Sequence, residues 1–558
     1  MAFQISPGVN VSEIDQTTVV PSVLTTAGAF AGTFNWGPTD KVTLIDNEIT
    51  LVKTFGKPDD NSAVSFFTAA NFLAYGNNLS IVRAVGANCF NSTSNTATIQ
   101  VGNKDDFENA YLNNNNGNTY GSFIARFPGA LGDSLSVDVC TVADSFSTWT
   151  YKSLFTSAPG TSDSVAAVGG SHDEMHIVVI DQDGKFTGTR GTVLETYPFV
   201  SKAADATING VSNYYKQVIF NTSKYVYAID PVDYANTHTT WGSTGAVTYA
   251  SVGNKTVVLD GGLDDAPASL ELAYDQFTNK EVVDISLVLT GDADVATQQY
   301  VIDNVSNSRA DCVAFISPPS TAVIGQAGSE TDNIKTWLAS LSRSSSYAVA
   351  DSGWKYQFDK YNNVYRWIPL NGDIAGLCVF TDTVRDPWFS PAGFSRGAIK
   401  NCIKLAWNPS KTYRDTLYAA GVNPVVSFPG QGTVLYGDKT LQSKPSAFDR
   451  INVRRLFIAL EKSIAQAAKF SLFELNDEFT RAQFVALVTP FLRDVQGRRG
   501  ITDFKVVCDS TNNTSNVIDS NQFVGDIYIK PARSINYIQL NFVAVNTGVD
   551  FTTIVGAV

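Results

Sequence analysis

The chain has 558 residues, with 40 Lys+Arg against 53 Asp+Glu for a formal net charge of −13. Charged residues are only 17% of the total, below the quarter usual in soluble domains, and the acidic balance excludes a general nucleic-acid or anionic-membrane binder, which needs a basic footprint. So little charge over so long a chain predicts surface that other protein covers, further copies of the same chain being the simplest cover.

Residues 1–20 read as a short extended segment. Val9 and Val11 alternate with Asn10 and Ser12, and Pro7-Gly8 breaks them from Phe3 and Ile5. Met1 to Asp15 has neither a basic n-region nor an apolar h-region, which predicts no secretory signal and a soluble intracellular product. A compact part follows, with a strand over Gly28–Gly32, a turn at Trp36-Gly37-Pro38, a helix around Ser62–Tyr75 and a strand over Leu79–Val85. From about 90 to 260 Asn, Ser, Thr and Gly dominate, as in Asn113 to Gly117, and short β-type runs alternate with turn clusters. This predicts a β-rich insertion exposed to solvent.

The pattern then becomes α/β. Val282–Leu289 reads as a buried strand, Asp294–Ser306 as a helix and Cys312–Ile316 as a second strand, a βαβ unit of ordinary length. Asp449 is the expected cap of a helix whose stripe is Val453, Leu456, Phe457, Leu460 and Ile464. Asn476 is expected to cap the next, with Asp477 and Glu478 favourable to its dipole. Its stripe is Phe484, Leu487, Val488, Phe491, Leu492 and Val495, and Gly497 stops it. Both stripes read as core packing, and strands at Phe504–Cys508 and Ile527–Ile529 complete an α/β domain.

Ile535–Val558 is again extended, with Ile538, Leu540 and Phe542 alternating with Gln539 and Asn541. Both ends therefore look like nearly uncharged, half-apolar strands beyond a compact body. A lone strand leaves its backbone groups unpaired, so it must dock on a sheet. Docking on the chain's own body and donation to a neighbour both satisfy that need, and the pattern leaves them open.

The chemistry-bearing residues argue against an enzyme. There are three histidines, His172, His176 and His238. His172 and His176 have the i, i+4 spacing of a zinc helix, but Glu174 is misplaced for His-Glu-x-x-His, Ile177–Ile180 reads as a strand, and no third ligand is evident. Gly393-Phe394-Ser395-Arg396-Gly397 matches a nucleophile elbow, yet that motif needs a later histidine and none follows residue 238. Its glycines are expected to serve a turn before a helix over Ala398–Leu405. No phosphate-binding loop or dinucleotide spacing occurs. Six scattered cysteines read as free, mostly buried thiols, and no apolar run approaches the roughly 18 residues of a membrane span. No cofactor, metal or catalytic residue is expected.

Taken together, these landmarks resemble the contractile tail sheath protein of myovirus-type bacteriophages. Ser6-Pro7-Gly8-Val9 through Glu13-Ile14-Asp15 is similar to the family's opening arm. Thr25–Gly32 and Phe55-Gly56 follow in family order, as do Gly430-Gln431-Gly432, Tyr436-Gly437-Asp438-Lys439-Thr440-Leu441 and Ile451-Asn452-Val453-Arg454-Arg455-Leu456-Phe457. Phe473-Glu474-Leu475-Asn476-Asp477 resembles Phe-Glu-Pro-Asn-Asp, and Cys508-Asp509 begins the family's Cys-Asp-x-x-x-Asn stretch. Asp438-Lys439 stands where the family usually has Ala-Arg, and Lys does not reproduce the geometry of Arg. The likeness covers residues 1–90 and 280–558.

What the resemblance implies is an α/β (α+β) multidomain chain that is a structural subunit, not an enzyme. Its expected parts are an N-terminal arm (1–20), a middle α/β domain (21–89 with 261–350), a β-rich protruding outer insertion (90–260), a C-terminal α/β sheath domain (351–534) and a C-terminal arm (535–558). The arms, carried here by Val9, Val11, Glu13, Ile14, Ile538, Leu540 and Phe542, are expected to add strands to neighbouring subunits in stacked rings or helical strands. Expected partners are further copies, a tail tube protein, and baseplate and tail-terminator proteins, with no direct nucleic acid and no membrane insertion. The subunit is expected in the virion tail after assembly in the host cytoplasm, and contraction drives the tube through the host envelope. A sheath from a phage-derived injection machine is the alternative, then a secreted surface-layer protein. Residues 441–510 hold 11 Lys+Arg and 8 Asp+Glu, and this region lies nearest the tube in the family. Arg454, Arg455, Arg493, Arg498 and Arg499 are therefore candidate tube-facing residues, with a solvated helix face or intersubunit pairing as the other reading.

Overall fold

A computed structural model describes residues 20, 23–113, 119–232 and 240–540. They divide into two compact units, 20–472 and 473–540, taken separately below.

The larger unit is built on a seven-stranded sheet. Its spatial order is Val422–Asn423, Ala348–Asp351, Val313–Ile316, Leu287–Leu289, Gly28–Gly32, Leu79–Arg83 and Thr43–Ile45. All neighbours are parallel except the last pair, so an antiparallel edge closes a doubly covered parallel sheet. Alternation sorts the side chains: Phe30, Ile81, Leu289 and Phe315 meet one core, while Ala29, Ala31, Val82, Val288 and Ala314 meet the other. The first core is filled by helices α1 (Ala63–Leu73) and α2 (Asn371–Val384). Gly28 is required where α1 crosses its strand, because a Cβ there would lie 2.6 Å from the Phe72 ring.

The expected border at 350 does not divide this body. Val422–Asn423 belongs to the same sheet as Gly28–Gly32, and helix α3 (Ile451–Ala468) contributes Ile451 and Ile458 to the same core. Parallel pairing forces this merger, since each added strand must return through a covering helix. Other local expectations shift as well. Only Leu287–Leu289 of the run from Val282 is strand, and Val282 is exposed. The segment Ala398–Leu405 forms no helix: Asn401 has φ of +50°, Ala398 bridges Val434, and Lys404–Leu405 pairs with Trp354–Asp359. Arg450, not Asp449, precedes α3.

Residues 90–260 carry their own antiparallel sheet, in the order Asn254–Val258, Leu135–Cys140, Glu174–Asp181 and Thr192–Ser201. Val137, Val139, Ile177, Val179, Tyr215 and Ile219 fill its core. The chain leaves and rejoins the main body side by side, through bridges Phe90 to Leu263 and Thr93 to Asp260. Arg83 secures this neck. It is fully buried and donates to the carbonyls of Phe34, Gly37 and Pro128 at 2.7, 2.9 and 2.8 Å. His176 lies in the insertion sheet, stacked against Phe155 and Trp149. Its Nδ1 accepts from the Phe199 amide, which leaves Nε2–H to donate to the Ser157 carbonyl, and burial lowers its basicity.

The smaller unit is helix α4 (Glu478–Gly497) on an antiparallel ribbon of Ile501–Val507 and Asp526–Pro531. Asp477, one residue beyond the expected Asn476, is the cap and accepts from the Thr480 amide at 2.8 Å. Asn476 instead donates to the Gln522 carbonyl. Thr480, Phe484, Val488, Leu492 and Val495 are the buried face of α4. Gly525 lets Phe484 seat, since a Cβ there would lie 2.8 Å from its ring.

Candidate intersubunit and tube-facing surfaces

Antiparallel pairing in the ribbon places Phe504 opposite Ile529 and Val506 opposite Ile527, all half-buried. Lys505 and Tyr528 face outward together, and Lys530 pairs with Asp503 at 3.1 Å, which holds that carboxyl below its usual range. No third strand joins either edge among the described residues. A two-stranded ribbon is marginal by itself, and its edges offer unpaired backbone donors and acceptors. An open groove lies between helix and ribbon, lined by Ala482, Val485, Ala486, Pro490, Val506 and Cys508.

After Pro531 the chain continues without regular structure to residue 540. Ile538 is 78% exposed and Leu540 71%, and Ile535 and Tyr537 are exposed as well. Four large apolar side chains in six residues thus stand in water. Val9, Val11, Glu13, Ile14 and Phe542 lie outside the described residues.

The five arginines separate into two classes. Arg493, Arg498 and Arg499 are exposed at the C-terminal end of α4, favourably placed for its dipole. Arg498 lies 3.5 Å from Asp494, and Arg499 has φ of +68°, which ends the helix. Arg454 and Arg455 are instead 5% and 4% exposed, which corrects the expectation that they offer surface charge. The Arg454 guanidinium carbon lies 4.1 and 4.0 Å from the ring centroids of Tyr347 and Phe448, and the group donates to the Tyr347 hydroxyl. Arg455 holds Asp382 in a bidentate pair at 2.9 and 2.6 Å. A helical position every third or fourth residue points inward whatever its charge, and sequence spacing cannot reveal a carboxylate 73 residues away.

Other buried charges are likewise structural. Lys355 pairs with Asp373 at 2.9 Å with both side chains fully buried. Burial pushes the Asp351 carboxyl up to about 8, where it accepts from Ser317 and the Gly353 amide. Among the described residues no group of three or more His, Cys, Asp or Glu is arranged to hold a metal ion, and no helix is long and apolar enough to cross a membrane. Ser395 is exposed on a turn.

Comparison with known proteins gives the same picture over most of the chain. Residues 443–544 match the phage tail sheath C-terminal domain, 268–441 the phage tail sheath protein central domain, and 25–84 the tail sheath protein Gp18 domain III N-terminal region. The tail sheath protein of Vibrio phage KVP40 is 34% identical over 99% of this chain and all of its own. That of Enterobacteria phage T4 is 32% identical over 99% of each. In fold, the crystal structure of a sheath tail protein from Listeria innocua matches with a TM-score of 0.53 at 11% identity, over 92% of this chain and 96% of that one. The sheath complex of an extracellular contractile injection system in its contracted state matches with a TM-score of 0.51 at 13% identity, over 97% and 98%. The chain belongs to the tail sheath protein family of contractile bacteriophages, and is a structural subunit of such a sheath.

Proposed function

We propose that the subunits polymerise around a tail tube by exchanging their terminal arms as added strands, and that the polymer contracts without nucleotide to drive the tube through the host envelope. The observation that carries this reading is the ribbon of the smaller unit, with no third strand on either edge among the described residues, followed by a tail whose Ile538 and Leu540 are exposed. A strand from another copy would pair the ribbon's free backbone groups, and a strand sent outward would bury its own alternating side chains. Reach is adequate, since the first 18 residues extended span roughly 60 Å at about 3.3 Å each. Flexible joints with backbone-bonded tips let bodies rotate while the mesh stays connected. Energy would be held in a kinetically trapped extended packing. Baseplate and tail-terminator contacts cap such a polymer, and assembly takes place in the host cytoplasm. The 32–34% identity to virion sheaths over whole chains supports a phage tail over a phage-derived injection machine.

Replacing both exposed residues, Ile538→Asp with Leu540→Asp, is expected to leave the monomer's melting temperature unchanged while tubes disappear from negative-stain micrographs. Tubes of normal length from that variant would refute donation of the C-terminal arm.

Arg493, Arg498 and Arg499 remain the tube-facing residues of this reading. Reversing two of them, Arg498→Glu with Arg499→Glu, is expected to lower assembly on an acidic tube by about tenfold or more, through loss of two charge contacts and gain of repulsion. Assembly without a tube should be unaffected. Equal rates with and without the reversal would assign these residues to solvent.

A further inference from the structure

Helix α3 carries a buried arginine, Arg455, and a half-buried lysine, Lys462, whose contacts are all within the body. Arg455 and Lys462 are two helical turns apart and so project from one face. Arg455 reaches directly, and Lys462 through Ser286, the short stretch just before the inner strand Gly28–Gly32, where the chain comes in from its N-terminal segment. Arg455 Nη2, besides its bond to Asp382, donates to the Thr25 carbonyl at 3.4 Å. The Thr25 hydroxyl donates to Asp382 Oδ2 at 2.6 Å, the same oxygen that Arg455 holds. One residue earlier, the Leu24 carbonyl accepts from Ser286 Oγ at 3.0 Å. Ser286 Oγ in turn accepts from Lys462 Nζ at 2.9 Å, and Lys462 is fixed by Asp284 Oδ1 and the Ile285 carbonyl, each at 2.7 Å. Thr25 is thus held by Asp382 through its hydroxyl and by Arg455 through its carbonyl, and Leu24 by Ser286, which Lys462 of the same helix holds in turn.

We infer that Arg455 with Asp382, and Lys462 with Ser286, form a clamp that fixes where and in which direction the N-terminal arm leaves the body. They are positioning residues for intersubunit connection, an inference that rests on the strand-exchange reading above. Three features favour a clamp over ordinary core cement. Its contacts fall on the backbone of exposed Leu24 and on the backbone and hydroxyl of half-buried Thr25, both outside the described hydrophobic clusters. The carboxylate spends one oxygen on both the arginine and Thr25. Finally, the clamp sits at the mouth of Gly28–Gly32, an inner strand paired in parallel on both sides. Force arriving along the arm would therefore load an inner parallel strand in shear and, through Arg455 and Lys462, the helix that leads in sequence to the ribbon unit. An arm without a clamped root would swivel, and its tip would be spread over many positions instead of presented to one neighbour.

The test uses the full chain and two substitutions, Thr25→Val, which exchanges the hydroxyl for a methyl, and Ser286→Ala, which deletes it. Hydrogen exchange of the monomer, read by mass spectrometry on peptides covering residues 20–31, is expected to rise about tenfold, since local opening follows the hydrogen bonds lost. Peptides from α2 and from Ala348–Asp351 should keep their wild-type rates. Arg455→Lys keeps the charge but not the two-pronged hold, and should give an intermediate rate on the same peptide. Unchanged exchange at 20–31, or an equal rise across the whole core, would overturn the clamp. In polymerisation assays the hydroxyl variant is expected to form fewer and shorter tubes, and tubes of wild-type number and length would overturn the positioning role. The strand-exchange reading fails separately, if chains lacking residues 1–15 still polymerise, because the monomer exchange result does not depend on any neighbour.

Discussion

Deleting residues 1–15 is expected to give a folded monomer that does not polymerise. All the described hydrophobic clusters draw on residues from Ala29 onward, so the deletion removes no core. Circular dichroism and the melting temperature should match the full chain within error. On the strand-exchange proposal, the deletion would remove a segment that pairs backbone groups along a neighbour's ribbon edge. A strand of about five residues contributes several hydrogen bonds and one apolar face, each bond worth roughly 0.5–1.5 kcal/mol net. Such contributions repeat at every link of a polymer, so removing them lengthens no tube slightly; it abolishes growth. Negative-stain microscopy and sedimentation under conditions that polymerise the full chain decide the matter. Normal tubes from the deleted chain would remove the N-terminal arm from the assembly mechanism and leave only the C-terminal one.

Replacing Arg83 by Met is expected to cost roughly 3–5 kcal/mol, the range for removing one member of a fully buried charged network. The guanidinium is dehydrated enough that burial lowers its pKa to about 10, so it remains charged at neutral pH. Its counter-charge is spread over three carbonyl dipoles, with the Asp264 and Cys89 side chains nearby. Met fills part of the volume and leaves those three carbonyls in a dry environment without a donor. Two of them, on Phe34 and Gly37, belong to the main body and one, on Pro128, to the insertion. The damage should therefore concentrate at the neck. Limited proteolysis of the variant should cut within 90–260 before it cuts the seven-stranded sheet, and the melting transition should split or broaden. Arg83→Lys should fall between, because one ammonium on a flexible stem does not serve three carbonyls at once. A single sharp transition at the wild-type temperature would show the neck to be held without Arg83.

Short-range physics was legible before any coordinates. The short strand-like runs at Gly28–Gly32 and Leu79–Arg83, the 3.6-residue stripes of α3 and α4, and the acidic first turn of α4 are each written within a single element. The β texture of 90–260 likewise stands out by composition alone. Errors arose where a tertiary partner outvoted local preference. Ala398–Leu405 has helical composition, yet pairing with Val434 and with Trp354–Asp359 holds it extended. The reading of Arg454 and Arg455 failed for a related reason: a charge was assigned to the surface by default, and both are buried.

The amino-acid sequence by itself determined the family, through motifs in a fixed order, and the kind of most of the elements, since each depends on neighbours a few residues apart. The tertiary structure alone decided that 350 is no border, that a single arginine secures the neck of the insertion, and that Arg455 meets Asp382 and Thr25. Those contacts join residues 73 and 430 positions apart. Chain closure over such distances follows from how a parallel sheet stacks its returning helices, and no periodicity records which charge will find which carboxylate.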